Sequence, residues 1–131
     1  MTNCALVCEY NPFHSGHKYQ LDCIKSSVDN ILCVMSGNFV QSASPAFCDK
    51  ALRAECALIC GAVAVIEVPA VFATASEQWF AEGSARIIKD ISDIEYWAMG
   101  AVSDRDAILR LAEVKLSHKD EYSALLKERL D

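Results

Sequence analysis

Hydrophobic residues recur along the chain in two patterns, short continuous runs and longer segments in which apolar and polar positions share a helical repeat. The runs are typical of strands buried on both faces of a parallel sheet, and they lie at Cys4–Cys8, Ile31–Met35, Ala62–Val68 and Ile94–Met99. The helical segments alternate with them and lie at His17–Ser27, Asp49–Cys60, Ser76–Lys89, Asp104–Lys115 and Lys119–Leu130. This alternation predicts an α/β fold with a doubly wound parallel sheet and helices on both of its faces.

Turn and cap residues indicate where these predicted helices begin and end. Gly61 is expected at the C-terminal end of the second helix. Thr74 and Glu77 have the spacing of a capping box ahead of the third helix. Ser117 is a candidate cap between the last two helices, and residues 39–47 are expected to be irregular.

The ends of the predicted strands indicate where a ligand would bind. In open parallel sheets, ligands lie outside the carboxyl ends of the strands, near the point where the strand order reverses. We therefore expect the site in the loops that follow Cys8, Met35, Val68 and Met99.

The loop after the first strand carries the clearest candidate chemistry, His14, Gly16 and His17. His17 is placed in the first helical turn, where free N–H groups and the helix dipole favour an anion. Both imidazoles can donate to phosphate oxygens, and Gly16 lets the backbone approach a ligand closely. Beside a triphosphate their pKa values should rise. Two alternatives are local capping roles for both histidines and a zinc site, for which no third ligand is evident nearby.

Composition narrows the function classes. The chain has 131 residues, of which 53% are hydrophobic, and these values exclude intrinsic disorder. With 12 basic against 18 acidic residues the net charge is −6, so a long nucleic acid is not expected to bind by phosphate neutralisation alone. The 7 cysteines form no C-x-x-C pair, and we expect them to be reduced, buried thiols of a cytoplasmic protein. No secretory signal or membrane-spanning stretch is expected.

Several segments beyond the histidines carry a resemblance to a known family. In chain order they are Glu9–His17, Met35–Gln41, Asp49–Lys50, Arg53–Glu55, Phe72–Glu77 and Gly83. Over roughly residues 3–100 the chain resembles the tRNA(Met) cytidine acetate ligase family, which belongs to the H-x-G-H nucleotidylyltransferases. The resemblance implies a Rossmann-like sheet of the nucleotidylyltransferase type, and it covers the N-terminal catalytic part of the family.

The function implied by the resemblance is an ATP-dependent ligase. Such an enzyme activates acetate as acetyl-adenylate, releases pyrophosphate and acetylates N4 of the wobble cytidine of tRNA(Met). The implied cofactors are ATP and Mg²⁺, with no metal site formed by the protein alone. The implied ATP-binding residues are Ala5, Cys8, Glu9, Tyr10, Asn11, Pro12, Phe13, His14, Gly16, His17, Lys18 and Gly100.

The candidate catalytic residues are the cations that could offset phosphate charge. We expect His14 and His17 to contact the phosphates, with Lys50 and Arg53 as further candidates. Lys50 and Arg53 lie three residues apart on a predicted helix and so should share a face. The alternative to a catalytic role is that this face is a solvated helix edge. Asn38 and Gln41 are candidate substrate contacts, or else ordinary loop residues.

The chain departs from the family at three places. Ser42–Pro45 stand where the family has an arginine and a Gly-Glu pair, which puts acetate or tRNA handling in question. Ala5 stands where the family commonly has glycine, and its methyl group would approach the adenosine. After Gly100 the family's acidic residue is missing, and neither a later arginine-bearing ATP motif nor a basic tRNA-binding part is evident.

We expect an ATP-binding domain over residues 1–101 and a helical segment over residues 102–131 that packs on it or extends it. Two alternatives to an active ligase domain are a nucleotide-binding module without full activity, and another adenylyltransferase acting on a pantetheine or pyridine nucleotide. The last two helices carry leucines that would either support a homo-oligomer or cover the domain's own sheet. These are Leu109, Leu111, Leu116, Leu125, Leu126 and Leu130.

Overall fold

The structure is a computed structural model that describes residues 1–101 and 104–130, with Leu126 and Leu130 described by their backbone only. It divides into two compact units, Met1–Met99 and Gly100–Asp131. The sequence predicts the boundary after residue 101, two positions later; residues 102 and 103, where the predicted helical segment begins, lie outside the described residues.

Four parallel strands form the sheet of the first unit. β1 (Asn3–Cys8) pairs with β2 (Asn30–Ser36), and β2 pairs with β3 (Ala64–Val68). On its other side β1 pairs with β4 (Tyr96–Ala98), so the strand order is β3-β2-β1-β4. The prediction of an α/β protein with a parallel sheet is confirmed, although β3 and β4 are shorter than the apolar runs that predicted them.

Helices connect these strands. α1 (Ser15–Lys25) lies between β1 and β2 in the sequence, and α2 (Lys50–Ile59) lies between β2 and β3. α3 (Ala70–Ala73) and α4 (Glu77–Asp90) follow β3. Gly61 follows the end of α2 with a φ of 109°, the backbone conformation for which glycine is favoured just past a helix.

The sheet is packed on both faces because side chains alternate along each strand. One core cluster joins the strands to α1 and α2, and its members include Leu6, Cys33, Met35, Leu21 and Ala57. The cluster on the opposite face joins the strands to α3 and α4, and its buried members are Ala5, Val34, Val68, Ala73 and Ile88. Burial on both faces is the reason why the strand sequences are continuously apolar.

The connection between β3 and α4 differs from the prediction. The helix α3 was not predicted, and it begins after Pro69 as its N-cap. The predicted capping box of Thr74 and Glu77 is wrong, because the Thr74 hydroxyl donates to the carbonyl of Ala70 at 2.8 Å and α4 has Ser76 as its N-cap. Thr74 ends one helix instead of starting the next, and its hydroxyl bonds back into the preceding turn.

The described part of the second unit contains α5 (Arg105–Ser117) and α6 (Lys119–Leu130). Ser117 is the last residue of α5, where its hydroxyl donates to the carbonyl of Glu113 at 2.9 Å, so it does not cap α6. Four of the leucines considered for self-association are at least 44% exposed, namely Leu109, Leu111, Leu116 and Leu125. The side chains of Leu126 and Leu130 lie outside the described part, and self-association stays a prediction.

A bilayer-spanning helix is not found among the residues that the structure describes.

Candidate functional site

The loop that follows β1 lies where the sheet reverses its order. β2 and β3 are added on one side of β1, whereas β4 is added on the other. In this class of fold the crevice at the carboxyl ends of the strands on either side of that reversal binds the ligand. Because α1 begins at Ser15, the predicted histidine pair lies at this switch point.

His14 and His17 together cap the N-terminus of α1. His14 is the N-cap residue in an extended conformation, and its Nδ1 accepts a hydrogen bond from the backbone N–H of Gly16 at 3.1 Å. The Nδ1 of His17 accepts from the backbone N–H of His14 at 3.3 Å. This is the reciprocal arrangement of a capping box, made by two imidazoles. The local capping role that the sequence allowed is therefore present, and it occupies only one nitrogen of each ring.

The cap determines which ring nitrogens remain for a ligand. Because each Nδ1 accepts a backbone N–H, the neutral form of each ring carries its proton on Nε2. The two rings stack with their centroids 3.7 Å apart and an angle of 24° between their planes. Two Nε2–H donors are thus held side by side at a helix N-terminus, which suits a ligand with several anionic oxygens.

Gly16 allows the His14 ring to pack this close to the helix. A Cβ added at this position would lie 2.9 Å from Cε1 and 3.1 Å from Nδ1 of His14. A side chain here would therefore displace the ring from both its hydrogen bond and its stack on His17. The glycine of the motif is required by the packing of the first histidine.

Tyr10 contacts the aromatic rings of the loop from the protein interior. Its side chain is 1% exposed, and its ring centroid lies 4.9 Å from that of His17 and 4.8 Å from that of Phe13. Its φ is 49°, in the left-handed region that costs a non-glycine residue on the order of 1 kcal/mol or more. Such a conformation persists only where the surroundings hold it, so the Tyr10 backbone is a constrained point of the loop.

Burial sets the protonation states around this loop. Partial burial, and then the neighbouring His14, lower the pKa of His17 below its ordinary value. Burial is also the main cause that raises the pKa of the Tyr10 hydroxyl and of the Cys8 thiol, so both groups stay protonated at neutral pH. In the free protein His17 is therefore mainly neutral at pH 7, and an approaching polyphosphate would raise its pKa again.

The Glu9 side chain connects the ends of β1 and β2 to the segment that follows β2. Its Oε1 accepts hydrogen bonds from the Ser36 hydroxyl at 3.2 Å and from the backbone N–H of Gln41 at 2.7 Å. Glu9 and Gln41, both predicted as ligand contacts, are thus joined to each other. Whether either contacts a ligand stays a prediction.

Two asparagines fix the segment from residue 38 to residue 50. Asn11 Oδ1 accepts from the backbone N–H of Phe47 at 2.6 Å, which holds this segment against the histidine loop. Asn38 Oδ1 accepts from the backbone N–H of Lys50 at 3.3 Å, at the first residue of α2. Asn11 is a predicted ATP contact and Asn38 a predicted substrate contact; each has a backbone partner in the structure, and their contacts with a ligand stay predictions.

Lys50 forms an ion pair that the sequence did not predict. Its Nζ lies 2.6 Å from Oε2 of Glu67 in β3, and both side chains are about half exposed. A cavity of about 220 Å³ lies beside the pair at the ends of β2 and β3, and its other lining residues are Met35, Ser36, Gly37, Ala51, Ala54 and Val65. An exposed pair of this kind is weakly held, so Lys50 could exchange its partner for an anionic ligand. The sequence signal that could have identified Glu67 is its position as the single charge within the apolar run Ala62–Val68.

The position of Arg53 corrects the prediction for this residue. We expected Arg53 to share an accessible helix face with Lys50, but its side chain is 1% exposed. The guanidinium donates to backbone carbonyl oxygens, namely those of Cys48 at 3.2 Å, Glu9 at 2.6 Å, Ser36 at 3.1 Å and Gly37. Arg53 lies one turn before the buried Ala57, on the face by which α2 packs against the sheet. Four of its five N–H donors are therefore occupied by the protein itself.

The remaining residues of the predicted ATP-binding set lie in different environments. Ala5 is fully buried in β1, where its methyl group belongs to the core cluster on the α3 and α4 face. Pro12 is exposed and Phe13 is partly buried in the histidine loop. Lys18 forms an ion pair with Asp22 at 2.5 Å along α1, and Gly100 begins the second unit. Their contacts with a nucleotide stay predictions.

The fold and the loop together define a class of protein. A parallel α/β sheet that presents an H-x-G-H loop at its switch point, with two imidazole donors at a helix N-terminus, is the arrangement of a nucleotidyltransferase site. A model of the HIGH Nucleotidyl Transferase family matches residues 1–131, and the chain belongs to this family.

Two relatives with the same name are similar to nearly the whole of this chain. The tRNA(Met) cytidine acetate ligase of Acetivibrio thermocellus is 42% identical over 129 residues, covering 96% of this chain and 31% of the relative. The protein of the same name from Syntrophomonas wolfei is 41% identical over 128 residues, covering 95% of this chain and 31% of the relative. The resemblance stated from the sequence is confirmed, and the chain spans about a third of the length of these curated relatives.

A solved structure shows the same fold. The crystal structure of Thermotoga maritima TmcAL bound with alpha-thio ATP matches with a TM-score of 0.86 at 38% sequence identity. The match covers 99% of this chain and 32% of that chain. The structure without ligand, described as apo form I, matches with the same TM-score.

Proposed function

We propose that this chain forms the ATP-binding part of a ligase that activates acetate for transfer to a cytidine of tRNA(Met). The observation that carries the proposal is the pair of Nε2–H donors that His14 and His17 present at the N-terminus of α1. The crystal structure that this chain matches over 99% of its length was solved with an ATP analogue, which supports ATP as the ligand. The names of the relatives support acetate and tRNA(Met) as the other substrates.

The phosphate chain of ATP is the part of the substrate that the histidine loop would hold. With each Nδ1 accepting its backbone N–H, His14 and His17 would donate from Nε2–H to anionic phosphate oxygens, and the dipole of α1 adds to the attraction. In the described residues no group of three or more His, Cys, Asp or Glu side chains could hold a metal ion. The side chains present therefore fit a Mg²⁺ ion that is held mainly by phosphate oxygens and water, and that neutralises phosphate charge when bound.

The proposed reaction needs no nucleophile from the protein. An acetate oxygen attacks the α-phosphorus, the new O–P bond gives acetyl-adenylate, and the bond to the β-phosphate oxygen breaks to release pyrophosphate. The N4 amine of cytidine then attacks the acetyl carbonyl, and AMP leaves. His14 and His17 would stabilise the charge that develops on the phosphate oxygens, and holding the reactants in line supplies the rest.

Lys50 is the accessible cation that we propose for the second substrate. Its ammonium lies beside a small cavity with mainly apolar walls, and its pair with Glu67 is about half exposed. A small carboxylate could take the place of Glu67 on Lys50 with its alkyl group in the cavity. A tRNA acceptor would need further basic surface, because the net charge of this chain is −6.

A cytoplasmic location is part of the proposal. All seven cysteines are free in the structure, as expected in a reducing compartment.

The first test is a calorimetric titration of ATP–Mg²⁺ into the purified chain. Wild type should bind, and the double variant His14→Ala/His17→Ala should bind at least about a hundredfold more weakly, since two charge-assisted hydrogen bonds are lost. The matched control is His118→Ala, which removes the remaining histidine from the exposed end of α5. Equal affinity of wild type and the double variant would refute the phosphate role of the loop.

A second measurement tests the reaction class. Exchange of labelled pyrophosphate into ATP should depend on acetate and should be lost in His14→Ala. Binding of ATP without exchange would indicate a nucleotide-binding module that lacks full activity. Exchange that depends on a phosphorylated pantetheine or pyridine nucleotide, and not on acetate, would indicate a different adenylyltransferase.

A further inference from the structure

Arg53 occupies a position that is unusual for a charged side chain. It is among the most buried residues of the chain, and none of the ion pairs in the described residues includes it. A charged group is rarely buried unless its hydrogen-bonding capacity is satisfied. Here four backbone carbonyl oxygens satisfy it, and three of them, those of Glu9, Ser36 and Gly37, belong to other elements of the fold.

These three carbonyls lie at the strand ends that carry the candidate site. Glu9 directly follows β1, Ser36 is the last residue of β2, and Gly37 follows it. Buried carbonyl groups beyond the last strand residues need partners that the sheet no longer supplies. A guanidinium is planar and has five donors in a fixed fork, so one side chain can bind carbonyls from two strand ends at once. Arg53 thereby joins the two loops that follow β1 and β2.

The bond to Glu9 acts directly on the backbone of Tyr10. The carbonyl of Glu9 belongs to the same planar peptide unit as the nitrogen of Tyr10. Fixing that peptide plane helps to hold Tyr10 at its left-handed φ of 49°, and the Tyr10 ring then contacts the His17 ring at 4.9 Å. Arg53 is distant from the imidazoles along the chain. It is connected to them in two steps, first through the peptide plane before Tyr10 and then through the Tyr10 ring.

The other two carbonyls place the second loop. Ser36 and Gly37 precede Asn38 and the segment that leads to Gln41. Glu9, whose backbone Arg53 binds, also accepts from Ser36 and Gln41 through its side chain. Removing the guanidinium would therefore release both loops together.

We propose that Arg53 is a positioning residue, which fixes the peptide plane before Tyr10 and the ends of β1 and β2 so that His17 is held in register for a phosphate. The inference rests on the proposed function for the role of His17. The positioning itself can be tested without a nucleotide.

The test is backbone hydrogen exchange of Arg53→Lys and Arg53→Met, measured by mass spectrometry on peptides that cover residues 9–18 and 36–42. Lysine keeps the charge but has one compact ammonium group that cannot span the three carbonyls. Arg86→Lys is the matched control, because Arg86 lies on the exposed side of α4. The peptides of α4 serve as an internal reference for global unfolding.

Exchange in the two loops of Arg53→Lys should rise about tenfold or more, while the slow amides of α4 change little. A merely structural role would lower global stability and accelerate the slow amides of the sheet and of α4 by one common factor. That uniform change, or no change in the loops, would overturn the proposal. If Arg53→Met does not fold, Arg53→Lys decides the question alone.

A measurement of ATP affinity distinguishes failure of this inference from failure of the proposed function. The affinity of Arg53→Ala for ATP–Mg²⁺ should be at least about tenfold weaker than that of wild type. Guanidinium ion at a non-denaturing concentration should restore part of the affinity, whereas potassium chloride at equal ionic strength should not. Failure of wild type to bind ATP would refute the proposed function and leave the exchange result as the test of Arg53. Weak affinity without any rescue, together with unchanged loop exchange, would refute the role of Arg53.

Discussion

A methyl group added to the glycine between the two histidines should weaken the proposed binding of ATP while changing the stability of the protein little. In Gly16→Ala the new Cβ would meet Cε1 of His14 at 2.9 Å and Nδ1 at 3.1 Å. The ring must move by a few tenths of an ångström or more, which breaks the hydrogen bond from the Gly16 N–H and disturbs the stack on His17.

The effect on stability is the sum of two opposing contributions. Loss of the N-cap hydrogen bond costs about 1 kcal/mol. Alanine in place of glycine within a helix contributes about 0.5–1 kcal/mol of stabilisation. We therefore expect the free energy of unfolding to change by less than about 1 kcal/mol.

The effect on binding has no such compensation. A displaced His14 ring would lose the hydrogen bond to phosphate that we propose, and a hydrogen bond to a charged group contributes about 1.5–3 kcal/mol. ATP–Mg²⁺ affinity should fall about tenfold to a hundredfold. Urea denaturation measures the stability, calorimetry measures the affinity, and Ser15→Ala at the exposed first position of the same helix is the control. Unchanged affinity in Gly16→Ala would refute the claim that the position of the His14 ring determines phosphate binding.

Three further predictions concern protonation and packing. Since folding lowers the pKa of His17, the unfolded chain binds more protons than the folded protein near pH 6. Stability should therefore fall as the pH drops below about 6.5. Urea denaturation between pH 5 and pH 8 should show a smaller decrease in stability for His17→Gln than for wild type. Ser84 is fully buried in α4 and its hydroxyl has no hydrogen-bond partner among the described residues, so Ser84→Ala should raise stability by up to about 1 kcal/mol. A Cβ on Gly83 would overlap Cγ of Phe72, so Gly83→Ala should lower stability by about 1–3 kcal/mol.

Each of these predictions has an outcome that contradicts it. An identical pH dependence in His17→Gln would show that other groups govern acid stability. A destabilised Ser84→Ala would mean that the hydroxyl has a partner, such as a water molecule. Gly83→Ala with wild-type stability would show that the Phe72 ring can move without loss.

Local patterns determined most of the architecture. The four strands were predicted because a strand covered on both faces must be apolar at nearly every position, and such runs are visible without knowledge of their partners. The position of the site followed from the same reasoning, since His14, Gly16 and His17 lie in and just after the loop that follows the first strand. Phosphate binding could be proposed because a helix N-terminus and adjacent imidazoles are local features.

The tertiary structure decided what the sequence could not show, namely which polar groups are paired within the protein. Arg53 and Lys50 are three residues apart and were expected on one accessible face, yet Arg53 is buried against carbonyls while Lys50 reaches Glu67. The partner of Arg53 at Glu9 lies 44 positions away. Whether a cation faces a ligand or the interior depends on which strand ends the fold brings beside it. Charge and helical spacing do not contain that information, because burial and hydrogen bonding are properties of the packed chain.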